Sequence, residues 1–358
     1  MSSTYIIAEA GVNHNGKISN AKSLIKYASK AGADAIKFQI FSANELVTKS
    51  ADTAKYQKKN LKSYISQREM LSQLELQRSD FVELNNYCKK LNIDFLCTPF
   101  DVDALHFLVK DLKLKTIKIS SPDILNGQLL FEAAKLGVNI IISSGMAKLG
   151  EIEYALSVIA AGYSFPHDVP NHENLAKFYL NKDSQKYIKD KVTILHCNSD
   201  YPTKICDVNL KNLTTLKNTF QATVGFSDHT TDLDVAVAAV ALGARVLEKH
   251  FTTDKALPGP DHLASLNPQE LQHMIMKIRN IEQALGSSTK WPTISEYKNI
   301  NSVRRSLCAN QDIKLGEKFT NENLTIKRPG HGISSQYYWD FIGKTSKRSY
   351  KKDDLIEI

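Results

Sequence analysis

Two histidines, His229 and His250, stand at the ends of two short apolar runs, 223–226 and 246–249, with Ser227, Asp228, Glu248 and Lys249 beside them. Two imidazoles without thiolates nearby suit several divalent metals and leave coordination positions for water and substrate oxygens. Such a site fits a Lewis acid that polarises a carbonyl. Asp261 and His262 follow in a GPDH loop.

A second set of residues points to an anion. Lys37 and Gln39 lie two apart in an extended run, so they share one face and Phe38 takes the other. Lys118 sits in a similar run, followed by Ser120, Ser121 and Asp123. A lysine facing a sheet interior is costly unless an anion meets it. Thr98, Ser121 and Ser143 recur at successive run ends, and several short donors are what a phosphate needs. Glu9 ends the first apolar run, where a carboxylate serves as a general acid or base or simply pairs with a lysine. Asn198, Asp200 and Tyr201 offer polar contacts to a sugar, whereas Cys197 has no evident base and reads as a buried thiol.

These residues need elements that bring them together. Extended apolar runs at 5–8, 35–40, 94–97, 116–119, 139–142, 192–196, 223–226 and 246–249 alternate with segments of helical spacing. In the first helical segment Ser19 can cap, Ala21, Leu24, Ile25 and Ala28 form the apolar stripe, and Gly32 ends it. Eight such units predict a (β/α)8 TIM barrel in preference to an open doubly wound sheet, and the list of polar residues at or just beyond the strands' C-terminal ends, where barrels carry their chemistry, is unusually rich. Residues 1–285 form this expected catalytic domain. Residues 286–300 read as a linker without a period, and 301–358 as a small β-rich module of short extended pieces separated by turns.

Composition narrows the class further. Hydrophobic residues make up 42% of the 358-residue chain and charged residues 23%, ordinary for a soluble globular protein. No apolar segment approaches membrane-span length and the N-terminus turns polar after a few residues, so a cytoplasmic protein is expected. Five scattered cysteines without a CxxC pair predict free thiols. The formal charge of +8 does not gather into a basic arm: Lys55, Lys58, Lys59, Lys89 and Lys90 spread along predicted helices without interleaved aromatics. A small anionic substrate explains the sign, with no nucleic acid and no membrane as partner.

The motifs EAGVNHNG, IKFQ, CTPF, KISS, ISSGM, LHCNSDYPT, GFSDHT, LEKHFT, GPDH and KRPGHGI occur in this order along nearly the whole chain. Together they resemble the sialic acid synthase family, a barrel followed by an antifreeze-like (SAF) domain. The resemblance implies condensation of phosphoenolpyruvate with an N-acetylated aldehyde sugar and water, giving a nine-carbon α-keto acid and phosphate. It implies His229 and His250 as metal ligands, usually with manganese, and Glu9 as the acid–base carboxylate. Lys37, Thr98, Lys118, Ser121, Ser143 and Ser227 would hold phosphoenolpyruvate, and Gln39, Asp123, Tyr201 and Asp261 the sugar. Arg328 of the RPG motif would reach into the barrel of a second subunit, in a domain-swapped homodimer. HCNSDYPT is closer to the branch that makes legionaminic acid from 2,4-diacetamido-2,4,6-trideoxymannose than to users of N-acetylmannosamine. Residues 163–190 have no counterpart in the family pattern and read as a surface excursion on the face opposite the active site. Sugar-phosphate condensing enzymes and a non-catalytic glycan-binding protein are the rival readings.

Overall fold

The computed structural model describes residues 3–48 and 66–357. The predicted helical placement of Lys55, Lys58 and Lys59 therefore lies outside the described residues. The chain divides into two compact units, Met1–Gly286 and Ser287–Ile358.

The first unit is an eight-stranded parallel barrel: β1 (Tyr5–Gly11), β2 (Ala35–Ile40), β3 (Asp94–Pro99), β4 (Thr116–Ile119), β5 (Asn139–Ser143), β6 (Val192–Cys197), β7 (Thr223–Asp228) and β8 (Val246–His250). Hydrogen-bonded pairing runs from β3 through β1 and β8 to β4, and β3 and β4 lie against each other at the remaining seam. Helices follow the strands and shield their outer faces, so the strands read as near-continuous apolar runs. Phe38, Ile117, Ile142 and Phe226 all belong to this outer core.

Inside the barrel the period of two sorts residues into layers. The lowest layer is apolar, packing Ile7, Ala35, Leu96, Ile141, Leu195 and Val246. Gly225 belongs to this layer because a Cβ there would lie 2.4 Å from the Val246 carbonyl and 2.5 Å from Leu195 Cδ2. Two residues further along each strand stand Glu9, Lys37, Thr98, Ser143, Cys197, Ser227 and Glu248, all buried. Two residues along each strand thus separate an apolar layer from a mostly polar one.

Three expectations need revision. Ser19 does not cap the first helix: Ile18–Ala31 starts two residues earlier than such a cap would place it, after an extended Lys17 whose carbonyl accepts from Asn20 and Ala21. The stretch read as a linker contains the helix Ile294–Val303, started by a reciprocal Thr293–Glu296 capping box. It was invisible to periodicity because none of its residues is buried. Residues 163–190 are more than a surface excursion: helices Leu175–Leu180 and Lys182–Lys191 pack on Leu149–Ser164 and bury Phe178 and Ile188. Tyr163 Oη donates to the Val138 carbonyl, just before β5, which fixes this layer at the strands' N-terminal side.

The second unit pairs β9 (Ser306–Ala309) antiparallel with β10 (Leu324–Lys327). Leu307, Ile313, Phe319, Leu324, Tyr350 and Ile356 give it a core of its own. Among the described residues, no helix is long and apolar enough to cross a membrane.

Candidate active site

A cavity of about 340 Å³ opens at the C-terminal ends of the barrel strands. Glu9, Lys37, Gln39, Thr98, Lys118, Ser121, Ser143, Tyr201, Ser227, His229 and His250 all line it, so the fold gathers eleven of the fourteen residues to which the family resemblance gives a role, while Asn198 and Asp200 do not line it. Asp123 sits just behind the lining, accepting from Ser120 Oγ at 2.5 Å and from Asn126. Asp261 is buried with Oδ2 4.0 Å from His250 Nδ1. Arg328 is exposed and belongs to the second unit, directly after β10.

Charge is concentrated on one side. Lys37 Nζ lies 2.5 Å from Glu9 Oε2 and 3.6 Å from Glu248 Oε2, while Lys118 Nζ lies 3.7 Å from Glu248 Oε1. Burial raises the Glu9 carboxyl well above the usual range, and Lys37 only partly offsets this. Burial acts on Glu248 in the same sense, but Lys118 and Lys37 outweigh it and hold that carboxyl low. The two acids are thereby split into a proton carrier and a fixed counter-charge, the pattern expected where acid–base chemistry is done. Burial also lowers the Lys118 ammonium, with Glu248 counteracting incompletely.

Glu248 is the residue that sequence reasoning placed nearby without a role. Its parity was the available signal: it lies two before His250 on β8, so both face inward, whereas Lys249 faces outward. Ser120, Met146 and Ser199 also line the cavity without having been assigned.

On the other side the two imidazole centroids are 5.3 Å apart, and Tyr201 packs 4.1 Å from His229 and 5.5 Å from His250. Burial holds both histidines neutral, lowering His229 to about 4 and His250 well below its ordinary value. His229 Nδ1 donates to the Asn198 carbonyl at 2.5 Å, which leaves a lone pair on Nε2. That atom lies 3.3 Å from Ser227 Oγ, whose single proton is already given to Glu248 Oε1 at 2.8 Å. His250 Nδ1 is buried and, among the described residues, has no hydrogen-bond partner. Neutral imidazoles with lone pairs turned into a polar cavity fit a divalent metal. Among the described residues no group of three or more His, Cys, Asp or Glu side chains forms a metal cluster, so such an ion would rest on two imidazoles plus water or substrate oxygens.

The NeuB family profile matches residues 24–290. The chain belongs to the NeuB family. The SAF domain profile matches residues 304–357, so the helix Ile294–Val303 lies between the NeuB barrel and the SAF module. This NeuB chain is 46% identical over 356 residues to the N,N'-diacetyllegionaminic acid synthase of Campylobacter jejuni subsp. jejuni, covering 99% of each chain. It is 40% identical to the N,N'-diacetyllegionaminic acid synthase of Legionella pneumophila subsp. pneumophila, across 95% of this chain and 89% of that one. Among solved structures, the N-acetylneuraminic acid (sialic acid) synthetase of Leptospira borgpetersenii, in complex with citrate, superposes with a TM-score of 0.69 at 32% identity. The match covers 84% of this chain and 90% of that one.

Proposed function

We propose that this protein condenses phosphoenolpyruvate with an N-acetylated mannose-type aldehyde sugar and water, giving a nine-carbon α-keto acid and inorganic phosphate. The acceptor is 2,4-diacetamido-2,4,6-trideoxymannose and the product N,N'-diacetyllegionaminate. The likeness to two legionaminic acid synthases at 46% and 40% identity supports that choice over N-acetylmannosamine. The observation that carries the reading is a single cavity with two buried lysines on one wall and two neutral histidines on the other.

Lys37, Lys118 and Thr98, with Ser121, Ser143 and Ser227, bind the anionic groups of phosphoenolpyruvate, and their convergence on one cavity supports this. Ser143 Oγ is buried and, among the described residues, has no hydrogen-bond partner, as expected of a donor kept for a ligand. Gln39, Tyr201, Asp123 and Asp261 orient the sugar. A divalent metal held by His229 and His250, manganese in the first place with magnesium or cobalt as alternatives, supplies Lewis-acid polarisation of the aldehyde when bound. The methylene carbon of phosphoenolpyruvate then bonds to the aldehyde carbon, water adds to the carbon bearing the phosphate, and the resulting tetrahedral centre expels phosphate to leave the keto group. Glu9 moves the protons that water gives up, one to the former aldehyde oxygen and one to the departing phosphate, a role its raised affinity for a proton supports.

In this reading residues 1–285 carry the chemistry, and the working unit is a domain-swapped homodimer in which Arg328 of residues 301–358 completes the partner's cavity. Trp291, just before the second unit's first helix, and Ile294 and Tyr297 within it are each more than 70% exposed, and such an apolar surface supports burial against another copy. The test is phosphate release from phosphoenolpyruvate with a panel of the diacetamido-trideoxy sugar, its altrose-configured relative and N-acetylmannosamine, with and without manganese. Release with the first sugar alone supports the reading; preference for N-acetylmannosamine corrects the acceptor; no release with any sugar refutes the activity.

A further inference from the structure

The two candidate metal ligands are each preceded by a charged residue, and these neighbours do not face the cavity. Asp228 and Lys249 are the last registered pair between β7 and β8. Their side chains point to the outer face of the barrel, where Lys249 Nζ meets Asp228 Oδ2 at 2.7 Å with both side chains completely buried. Lys249 Nζ also donates to the Thr230 carbonyl at 2.6 Å, and Asp228 Oδ1 accepts from the Thr230 amide at 2.8 Å. His229 lies between these anchor points, one residue beyond the end of its strand.

The position of His229 is therefore not set by the β7–β8 ladder, which stops at Asp228. It depends on the ammonium of Lys249, which grips the residues on both sides of it, Asp228 and Thr230. Two further hydrogen bonds of His229 run to the opposite neighbour, the loop after β6: Nδ1 donates to the Asn198 carbonyl, and its own carbonyl accepts from the Thr203 amide. His250 is carried by the same segment as the lysine, as the very next residue. One buried ion pair thus links the backbone of one histidine to that of the other.

An ion pair is an expensive choice for packing alone. Desolvating both groups offsets most of their attraction, and an apolar pair of similar volume would hold the helix layer to the sheet at least as well. What the charged pair adds is direction and length, which an apolar contact does not fix. We infer that Asp228 and Lys249 are positioning residues that set the distance between His229 and His250 for a divalent cation. The inference rests on the proposal that these histidines ligate a metal.

The test measures Mn2+ binding directly, by the electron paramagnetic resonance signal of the free ion titrated into the full-length protein, with no turnover involved. Inorganic phosphate binding by calorimetry is the control, because it reports on Lys37 and Lys118. The uncharged double variant Asp228→Asn with Lys249→Met is expected to stay folded, to bind phosphate as before and to lose at least about tenfold in Mn2+ affinity, the usual effect of removing outer-shell support. Wild-type Mn2+ affinity in the folded double variant overturns the inference. Should that variant fail to fold, Asp228→Glu keeps the charge and lengthens the arm by one methylene. A similar loss of Mn2+ affinity is expected there, and an unchanged affinity overturns the inference equally. A wild-type protein that takes up no Mn2+, or whose uptake is unaffected by His229→Ala, refutes the metal proposal and this inference with it. Unchanged uptake in the Asp228 variants, set against loss in His229→Ala, refutes this inference alone.

Discussion

Ser227 Oγ donates a 2.8 Å hydrogen bond to Glu248 Oε1, and the same hydroxyl oxygen lies 3.3 Å from His229 Nε2. This one side chain touches both halves of the cavity, the pair of lysines through Glu248 and the pair of histidines through His229. The lysine and histidine walls are consequently a single packed unit, and changes on one should be felt on the other.

Glu248 balances the charge of Lys37 and Lys118 at 3.6 and 3.7 Å. Replacing it by Gln leaves both ammonium groups in place and removes the anion that competes with a phosphate for them. Glu248→Gln is expected to lower the KM for phosphoenolpyruvate and the inhibition constant of product phosphate, and to reduce kcat about tenfold or more because phosphate is held longer. Initial rates with phosphate as inhibitor check this; a rise in both constants would contradict it.

Glu9 should behave differently, since its assigned role is proton movement. Glu9→Gln preserves shape and the contact with Gln39 while removing the titrating group. A loss of about 10²-fold or more in kcat is expected, with a smaller change in KM, as is usual when a general acid or base is deleted. Full activity in this variant would remove the role.

The proposed domain-swapped homodimer predicts complementation. Arg328→Ala and Glu9→Gln are each expected to be nearly inactive alone. Mixing the two under conditions that exchange subunits should restore activity, because some cavities then combine an intact barrel with an intact partner tail. Size-resolved assays of the mixture that show no recovery would argue for a site completed within one chain.

Acid stability follows from a buried histidine. His14 is 1% exposed, and burial lowers it from 6.5 to about 4 in the fold, while its Nδ1 accepts from the Gly16 amide at 3.1 Å. The unfolded chain takes up this proton below about pH 6.5 and the folded chain resists it, so the stabilisation is complete above that pH and is lost progressively towards pH 4. At about 1.4 kcal/mol per pH unit, His14 alone would cost about 2 kcal/mol between pH 6.5 and 5. Urea unfolding at these two pH values should show a difference that shrinks by that amount in His14→Asn.

Gly225 tests the layered interior. With Val246 O only 2.4 Å from where a Cβ would stand, Gly225→Ala must push β7 and β8 apart. A destabilisation of about 1–3 kcal/mol is expected from such overpacking, measured by thermal or urea unfolding. Loss of Mn2+ affinity should accompany it, since the same two strands carry His229 and His250.

The sequence by itself determined the barrel and most of the mouth. Alternation between strand and helix periods is a local property of the chain, and polar residues ending apolar runs mark the strand ends directly, as Glu9, Ser143 and His250 do. Parity within a strand is local too, and it separates Glu248 from Lys249 without any structure. What the sequence did not carry were relationships between strands. Nothing along the chain states that Glu248 meets Lys118, or that Lys249 crosses to Asp228 and grips Thr230, because those contacts depend on which strands are neighbours and in what register. The helix Ile294–Val303 escaped for the opposite reason: it buries none of its residues, so it leaves no apolar period to read. Tertiary structure decided the electrostatics in the same way, for two glutamates of equal intrinsic acidity differ here through how closely folding sets Lys37 and Lys118 beside each and through the Ser227 hydroxyl that donates to Glu248.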